Sequence, residues 1–134
     1  MGEEGCAHGP VRRVEKPWGF EIWFAVTDRY AGKILHINQG EELSLQYHDR
    51  KDESIMVLAG ELELELGSGV SQMHTHLLGP GGCQRITPHL IHRMRARTTV
   101  EICEVSTPEL DDVVRIADRY GRAAPHPPSE VAPA

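Results

Sequence analysis

The chain has 134 residues, with 20 acidic against 14 basic side chains and a formal net charge of -6, enough for one domain around one core. No basic stripe suits a phosphate backbone, and no apolar run approaches the ~18–20 residues of a membrane span, so neither nucleic acid nor membrane is an expected partner. Cys6, Cys83 and Cys103 lie far apart, and the acidic "MGEEGCAHGP" lacks the apolar core of a signal peptide, so a reduced, cytoplasmic protein is expected.

In chain order, residues 1–13 read as a flexible N-terminal arm, 14–122 as the folded domain and 123–134, "AAPHPPSEVAPA", as a disordered Pro/Ala-rich tail. The domain alternates like a β protein. "FEIWFAV" (20–26), "GKILHI" (32–37), "ELSLQY" (42–47), "SIMVLAG" (54–60) and "ELELEL" (61–66) are candidate strands, followed by "CQRIT" (83–87), "HRMRA" (92–96) and "TVEICEV" (99–105). "ELELEL" has strict period two, with Leu62, Leu64 and Leu66 on one face. Gly60 permits the turn before it, and "GPGG" (79–82) marks another. Cys83 and Cys103 sit in strand-like runs, where burial as small apolar residues is expected. Many short, evenly spaced strands predict an all-β sandwich or small barrel. "TPELDDVVRIADRYG" (107–121) predicts a short C-terminal helix, with Thr107 as N-cap, Pro108 in the first turn, acidic residues near the N-terminus and Gly121 at the end.

One stretch carries chemistry. In "LSLQYHDRKDE" (43–53), Ser44, Gln46 and His48 share a strand face, and Glu53 follows after a short polar loop. In "ITPHLIHRM", the turn after Pro88 aims His92 inward. Gln46, His48, Glu53 and His92 form a mixed N/O set suited to one divalent ion: zinc, manganese, iron, cobalt or nickel. Spacing alone leaves two readings, a metal site and a polar strand end.

These residues resemble the two motifs of a cupin. The first is supplied by Gly40, Gln46, His48, Glu53 and Gly60, the second by Gly82, Pro88 and His92. "KPWGFEIW", "GEELSLQYH", "VLAGELELELG", "ITPHLIHRM" and "DDVVRIADRYGR" resemble the cupin domain of type II mannose-6-phosphate isomerases, which also occurs fused to mannose-1-phosphate guanylyltransferase. The similarity covers roughly residues 13–122. It implies a single-domain double-stranded β-helix, or small jelly-roll barrel, and a homodimer. It also makes Gln46, in "LSLQ", a ligand alongside His48, Glu53 and His92. Lys33 stands where the family carries a Lys, and Arg122 closes the "DRYGR" block, so both are candidates for substrate binding. The chain departs from the family's His-rich run and "RAEHW": it has "DRK" and "KDESI", with Lys51 for the Arg and Ser54-Ile55 for the His-Trp pair.

Other residues are weighed against plainer roles. His36 alternates with Leu35 and Ile37 and is expected beside the metal; with Lys33 it is the candidate proton carrier. His74 and His76 in "MHTH" repeat the i, i+2 spacing but lack a following Glu, so they are expected to be bystanders. Arg85, Arg93 and His89 are expected at the surface, and Trp18 and Trp23 in packing roles. Three readings remain open. They are an aldose–ketose isomerase acting on a sugar phosphate with a divalent metal, a metal-dependent dioxygenase, decarboxylase or lyase acting on another small molecule, and a non-enzymatic metal- or sugar-binding cupin.

Overall fold

The computed structural model describes residues 11–123. Residues 1–10 of the expected arm, with Cys6, and residues 124–134 of the expected tail lie outside the described residues. Among the described residues eleven strands run in order: β1 (Arg12–Lys16), β2 (Gly19–Val26), β3 (Ala31–Ile37), β4 (Leu45–Tyr47), β5 (Glu53–Ala59), β6 (Leu62–Gly67), β7 (Met73–Leu78), β8 (Cys83–Ile86), β9 (Ile91–Ala96), β10 (Val100–Ser106) and β11 (Val114–Ala117). They form a six-stranded sheet, β1-β2-β3-β10-β5-β8, facing a five-stranded sheet, β11-β4-β9-β6-β7. Every pairing is antiparallel. This is the all-β, two-sheet jelly roll expected from the sequence.

Alternation sets the layers. Leu35 and Ile37 of β3, Ile55 and Val57 of β5, and Val100 and Ile102 of β10 face inward from the larger sheet. Leu62 and Leu64 of β6 and Met94 and Ala96 of β9 meet them from the smaller one, with Trp18 buried alongside. The same faces become polar toward one end. Lys33, Glu53 and Glu104 continue the inward rows of β3, β5 and β10, and His48 and His92 close the opposite wall. The sandwich therefore has an apolar base and a polar mouth.

No helix forms at 107–121: residues 107–113 make turns and β11 follows. Val113, Val114 and Ile116 are β-branched and favour extended backbone. A lone short helix is marginal, whereas β11 covers the edge of β4, pairing Val114 with Tyr47 and Arg115 with Gln46. Arg12 and Arg13, read as the end of a loose arm, lie in β1, paired with Trp23 and Ile22. Cys83 is exposed and Cys103 only half-buried, because register puts them on the outer face of the six-stranded sheet with Met56.

Gly60 makes the turn into β6 at φ +84, and a Cβ there would lie 2.2 Å from the Thr99 carbonyl oxygen. Gly40 has nearly the same φ, +82, but open space around it. Gly40→Ala is expected to cost only backbone strain, on the order of 1 kcal/mol, and Gly60→Ala about 3 kcal/mol or more. Urea denaturation of both variants checks this; equal losses would mean that the β5–β6 turn is not packed against Thr99.

Candidate metal centre

Register across the smaller sheet assembles one half of the site. Arg115 of β11 lies opposite Gln46 of β4, Gln46 opposite His92 of β9, and His92 opposite Leu66 of β6. These four occupy one row, so Gln46 and His92 are lateral neighbours on the inner face. His48 lies just beyond β4, and loop 49–52 then crosses to the other sheet, where Glu53 opens β5.

His48, Glu53 and His92 are all buried, and a potential ligand atom from each lies within 4.8 Å of the others. Glu53 Oε2 is 3.6 Å from Nε2 of both His48 and His92. Each imidazole is oriented from its other nitrogen: His48 Nδ1 donates to the Asp112 carbonyl oxygen and His92 Nδ1 to that of Leu90. That fixes the tautomer that leaves Nε2 as an acceptor. Both Nε2 atoms are buried and have no hydrogen-bond partner among the described residues. Two inward acceptors and a carboxylate at this separation fit a divalent cation. Gln46 lines the same cavity, and its Oε1 accepts a 2.5 Å hydrogen bond from Ser44 Oγ.

A network of charges surrounds these groups. Lys51 Nζ bridges Glu53 Oε1 at 3.1 Å and Glu104 Oε2 at 3.0 Å, all three side chains being buried. Burial alone would raise the Glu53 carboxyl, but His48, Lys51 and His92 outweigh it and hold Glu53 below the usual carboxylate range. Glu104 goes the other way: burial and the nearby Glu53 push its carboxyl up to about 7. Burial lowers His92, favouring the neutral ring a ligand needs. Lys33 is buried, 3.4 Å from Glu21 Oε1 and 4.8 Å from the Trp23 ring centroid, while Trp23 Nε1 donates to the same Glu21 oxygen.

The cavity holds about 90 Å³, with Lys16, Lys33, Lys51, Arg115 and Arg122 among its cationic lining. Arg122 is engaged by Asp118, to which its Nε and Nη2 donate at 2.8 and 2.9 Å. Arg115 has no carboxylate partner among the described residues, and its buried Nε is unpartnered. Sequence reasoning passed over Arg115, because its segment was read as a helix, and also Glu21 and Glu104.

His36 is not beside the metal site. Lys33, Leu35 and Ile37 share the inner face of β3, so His36 falls on the outer one, where it stacks on Phe20 and contacts Glu101. His74 and His76 are exposed on β7, with Leu66 between His74 and His92 in the row. His89 is exposed at φ 71 and donates its backbone N–H to the His48 carbonyl. Arg85 pairs with Asp52, and Lys51, the departure in the loop, is a buried member of the network.

Residues 33–106 match the family model described as a cupin domain. The chain belongs to the cupin family. Among curated relatives of this cupin, mannose-1-phosphate guanylyltransferase of Escherichia coli K12 is 33% identical over 120 residues, 86% of this chain and 24% of that protein. Xanthan biosynthesis protein XanB of Xanthomonas campestris pv. campestris is 30% identical over 116 residues, 83% of this chain and 24% of its own. The cupin thus spans about a quarter of the length of the curated relatives it matches. Among solved structures, KdgF from Halomonas sp. superposes with TM-score 0.65 at 20% identity, covering 83% of this chain and 94% of that one. Oxalate decarboxylase from Bacillus subtilis superposes with TM-score 0.69 at 13% identity, covering 81% and 33%. These structures share the fold.

In the metal-free protein, His92 titrates below its ordinary 6.5 and Glu53 below its ordinary 4.5. Both bind protons more readily when unfolded, so stability is present at higher pH and lost on acidification. The His92 part begins below 6.5 and the Glu53 part below 4.5. Glu104, pushed up to about 7, works the other way and favours the fold as pH falls through 7, so the His92 part is read by difference: in thermal unfolding of EDTA-treated protein between pH ~8 and ~5, acidification is expected to cost His92→Gln less stability, or gain it more, than wild type. An unchanged slope in that variant would rule out His92 as the source.

Proposed function

We propose that this cupin binds one divalent metal through His48, Glu53, His92 and Gln46 and acts on a small anionic substrate, with a sugar phosphate of the mannose 6-phosphate type as the leading candidate. One observation carries the reading: two imidazole nitrogens, unpartnered among the described residues, converge on a carboxylate, and His48 and Glu53 of this cluster line a cavity that also presents a cationic wall. The relatives named for mannose 1-phosphate support a sugar phosphate.

A divalent ion held there would polarise a substrate carbonyl and its neighbouring hydroxyl as a Lewis acid. Arg115 and Arg122 would hold the phosphate or carboxylate, with Lys33 nearer the reacting end. The proton-transfer role considered for His36 passes to Glu104, which lines the cavity with a carboxyl near neutral pH. Lys51 holds Glu104 and Glu53 in place from one ammonium. Leu35, Leu43, Leu110 and Val113 line the remainder and restrict water. A second reading, decarboxylation or oxygenation of a small carboxylate, is favoured by the size of the cavity. About 90 Å³ seats a small acid whole, but only the reacting end of a sugar phosphate.

Purified protein is expected to carry close to one metal per chain by elemental analysis, and His48→Ala and Glu53→Ala to lose it. Full retention in both would rule out the site. Interconversion of mannose 6-phosphate and fructose 6-phosphate is expected with a divalent metal. Glu104→Gln is expected to lower kcat by about 10²–10⁴-fold with metal content unchanged. Absence of turnover with every metal would turn the reading to small carboxylates, tested by oxygen uptake and CO₂ release.

The expected homodimer would form through the outer face of the six-stranded sheet. Ile22, Ile34, Cys103, Met56 and Cys83 make one apolar row across five strands, roughly 20 Å wide at strand spacing. Phe24, Leu58 and Val105 are exposed around it. A flat apolar strip of this width suits a self-complementary two-fold contact. Met56→Glu is expected to convert dimer to monomer in light scattering; a monomeric wild type would overturn the assignment.

A further inference from the structure

The segment between β10 and β11 makes an unusual set of contacts through one residue. The Asp112 carboxylate accepts three consecutive backbone N–H groups: Asp49 on Oδ1 at 3.1 Å, Arg50 on Oδ2 at 2.6 Å and Lys51 on Oδ2 at 2.9 Å. The carbonyl oxygen of Asp112 accepts from His48 Nδ1. Thr107 fastens the other end of the segment, its N–H donating to the Asp52 carbonyl and its Oγ1 accepting from the Asp52 N–H, both at 3.0 Å. Loop 49–52 is therefore tied along its whole length to 107–112.

That loop links His48 on one sheet to Glu53 on the other, so its conformation sets the separation of two proposed ligands. It also carries Lys51, which holds the second Glu53 oxygen. The same segment supplies Leu110 and Val113 to the cavity wall and leads into β11, which brings in Arg115. One residue thus connects ligand spacing, through its carboxylate, with ligand orientation and the cavity cover, through its backbone.

We infer that Asp112 is the positioning residue of this metal site, and that metal binding and docking of residues 107–117 over the cavity stabilise one another. The inference rests on the metal reading above. Asp112 is not among the residues lining the cavity; it acts through the His48 ring and the loop. Because coupling between two equilibria is reciprocal, a cation that needs the docked segment must also tighten it. A partner that orients a metal-bound imidazole is worth 10–100-fold in affinity, by about the usual range for such contacts.

The test uses the full chain, with Zn²⁺ or Co²⁺ as probe, in chelator competition and in hydrogen exchange resolved by peptide. Wild type is expected to bind, and the metal to slow amide exchange in 107–117. Asp112→Ala keeps the backbone carbonyl that faces His48 but cuts its tie to loop 49–51, and is expected to bind about 10-fold more weakly, the low end of that range, with exchange in 107–117 fast and insensitive to metal. Asp112→Asn, which keeps the size of the side chain and an acceptor, guards against simple misfolding. With an unchanged metal-free melting temperature it is still expected to weaken binding and to alter the Co²⁺ absorption spectrum. Unchanged affinity in a folded Asp112 variant, or exchange in 107–117 indifferent to metal in wild type, overturns the inference while leaving the metal site standing. No binding by wild type overturns both.

Discussion

A carboxylate buried between two sheets is costly unless neighbours compensate it, and Glu53 is such a group, only 3% exposed. Much of the polar mouth follows from that constraint. Lys51 turns inward to meet Glu53, Glu104 meets the other side of Lys51, and two imidazoles present nitrogens to the same carboxylate. Opposite charges hold Glu53 ionised, whereas Glu104, buried beside Glu53, keeps its proton to about pH 7. Two carboxyls bridged by one lysine are thus held in different states by their surroundings.

The apolar base makes this arrangement affordable. Leu62, Leu64, Ile37, Val100 and Ile102 are essentially inaccessible to solvent, and the strands that carry polar groups to the mouth are anchored among them. Period-two alternation continues unbroken from base to mouth; only the chemistry of the inward residues changes. The loops at the mouth are held by polar bonds instead, from Thr107, Asp112 and the backbone of His89.

Much of this was legible in the residues. "ELELEL" announced a strand with three leucines facing in, and "LSLQYH" with "DE" and a later His announced the polar cluster. Parity could also have placed His36 outward, since Leu35 and Ile37 share a face that excludes it, and Glu104 inward with Val100 and Ile102. The short run "KILHI" has apolar residues on both faces, however, and "VEICEV" has a glutamate on each, so local pattern could not choose between them. The helix predicted at 107–121 failed for a different reason. Its capping signals were sound locally, but the exposed edge of β4 is a distant tertiary fact that no window of sequence contains. Arg115 was missed with it, since its position depends on that pairing.

His48 and His92 belong to the wall made by the five-stranded sheet, and Glu53 to the six-stranded sheet opposite. The two sheets are glued by hydrocarbon at the base but meet at the mouth mainly across charged groups. An ion shared by the three side chains would therefore act as a rivet through both layers at the end where the adhesive is thinnest. Without it, the mouth is the place where the two sheets would first part, so breathing of the sandwich would start there and leave the leucine-rich base closed.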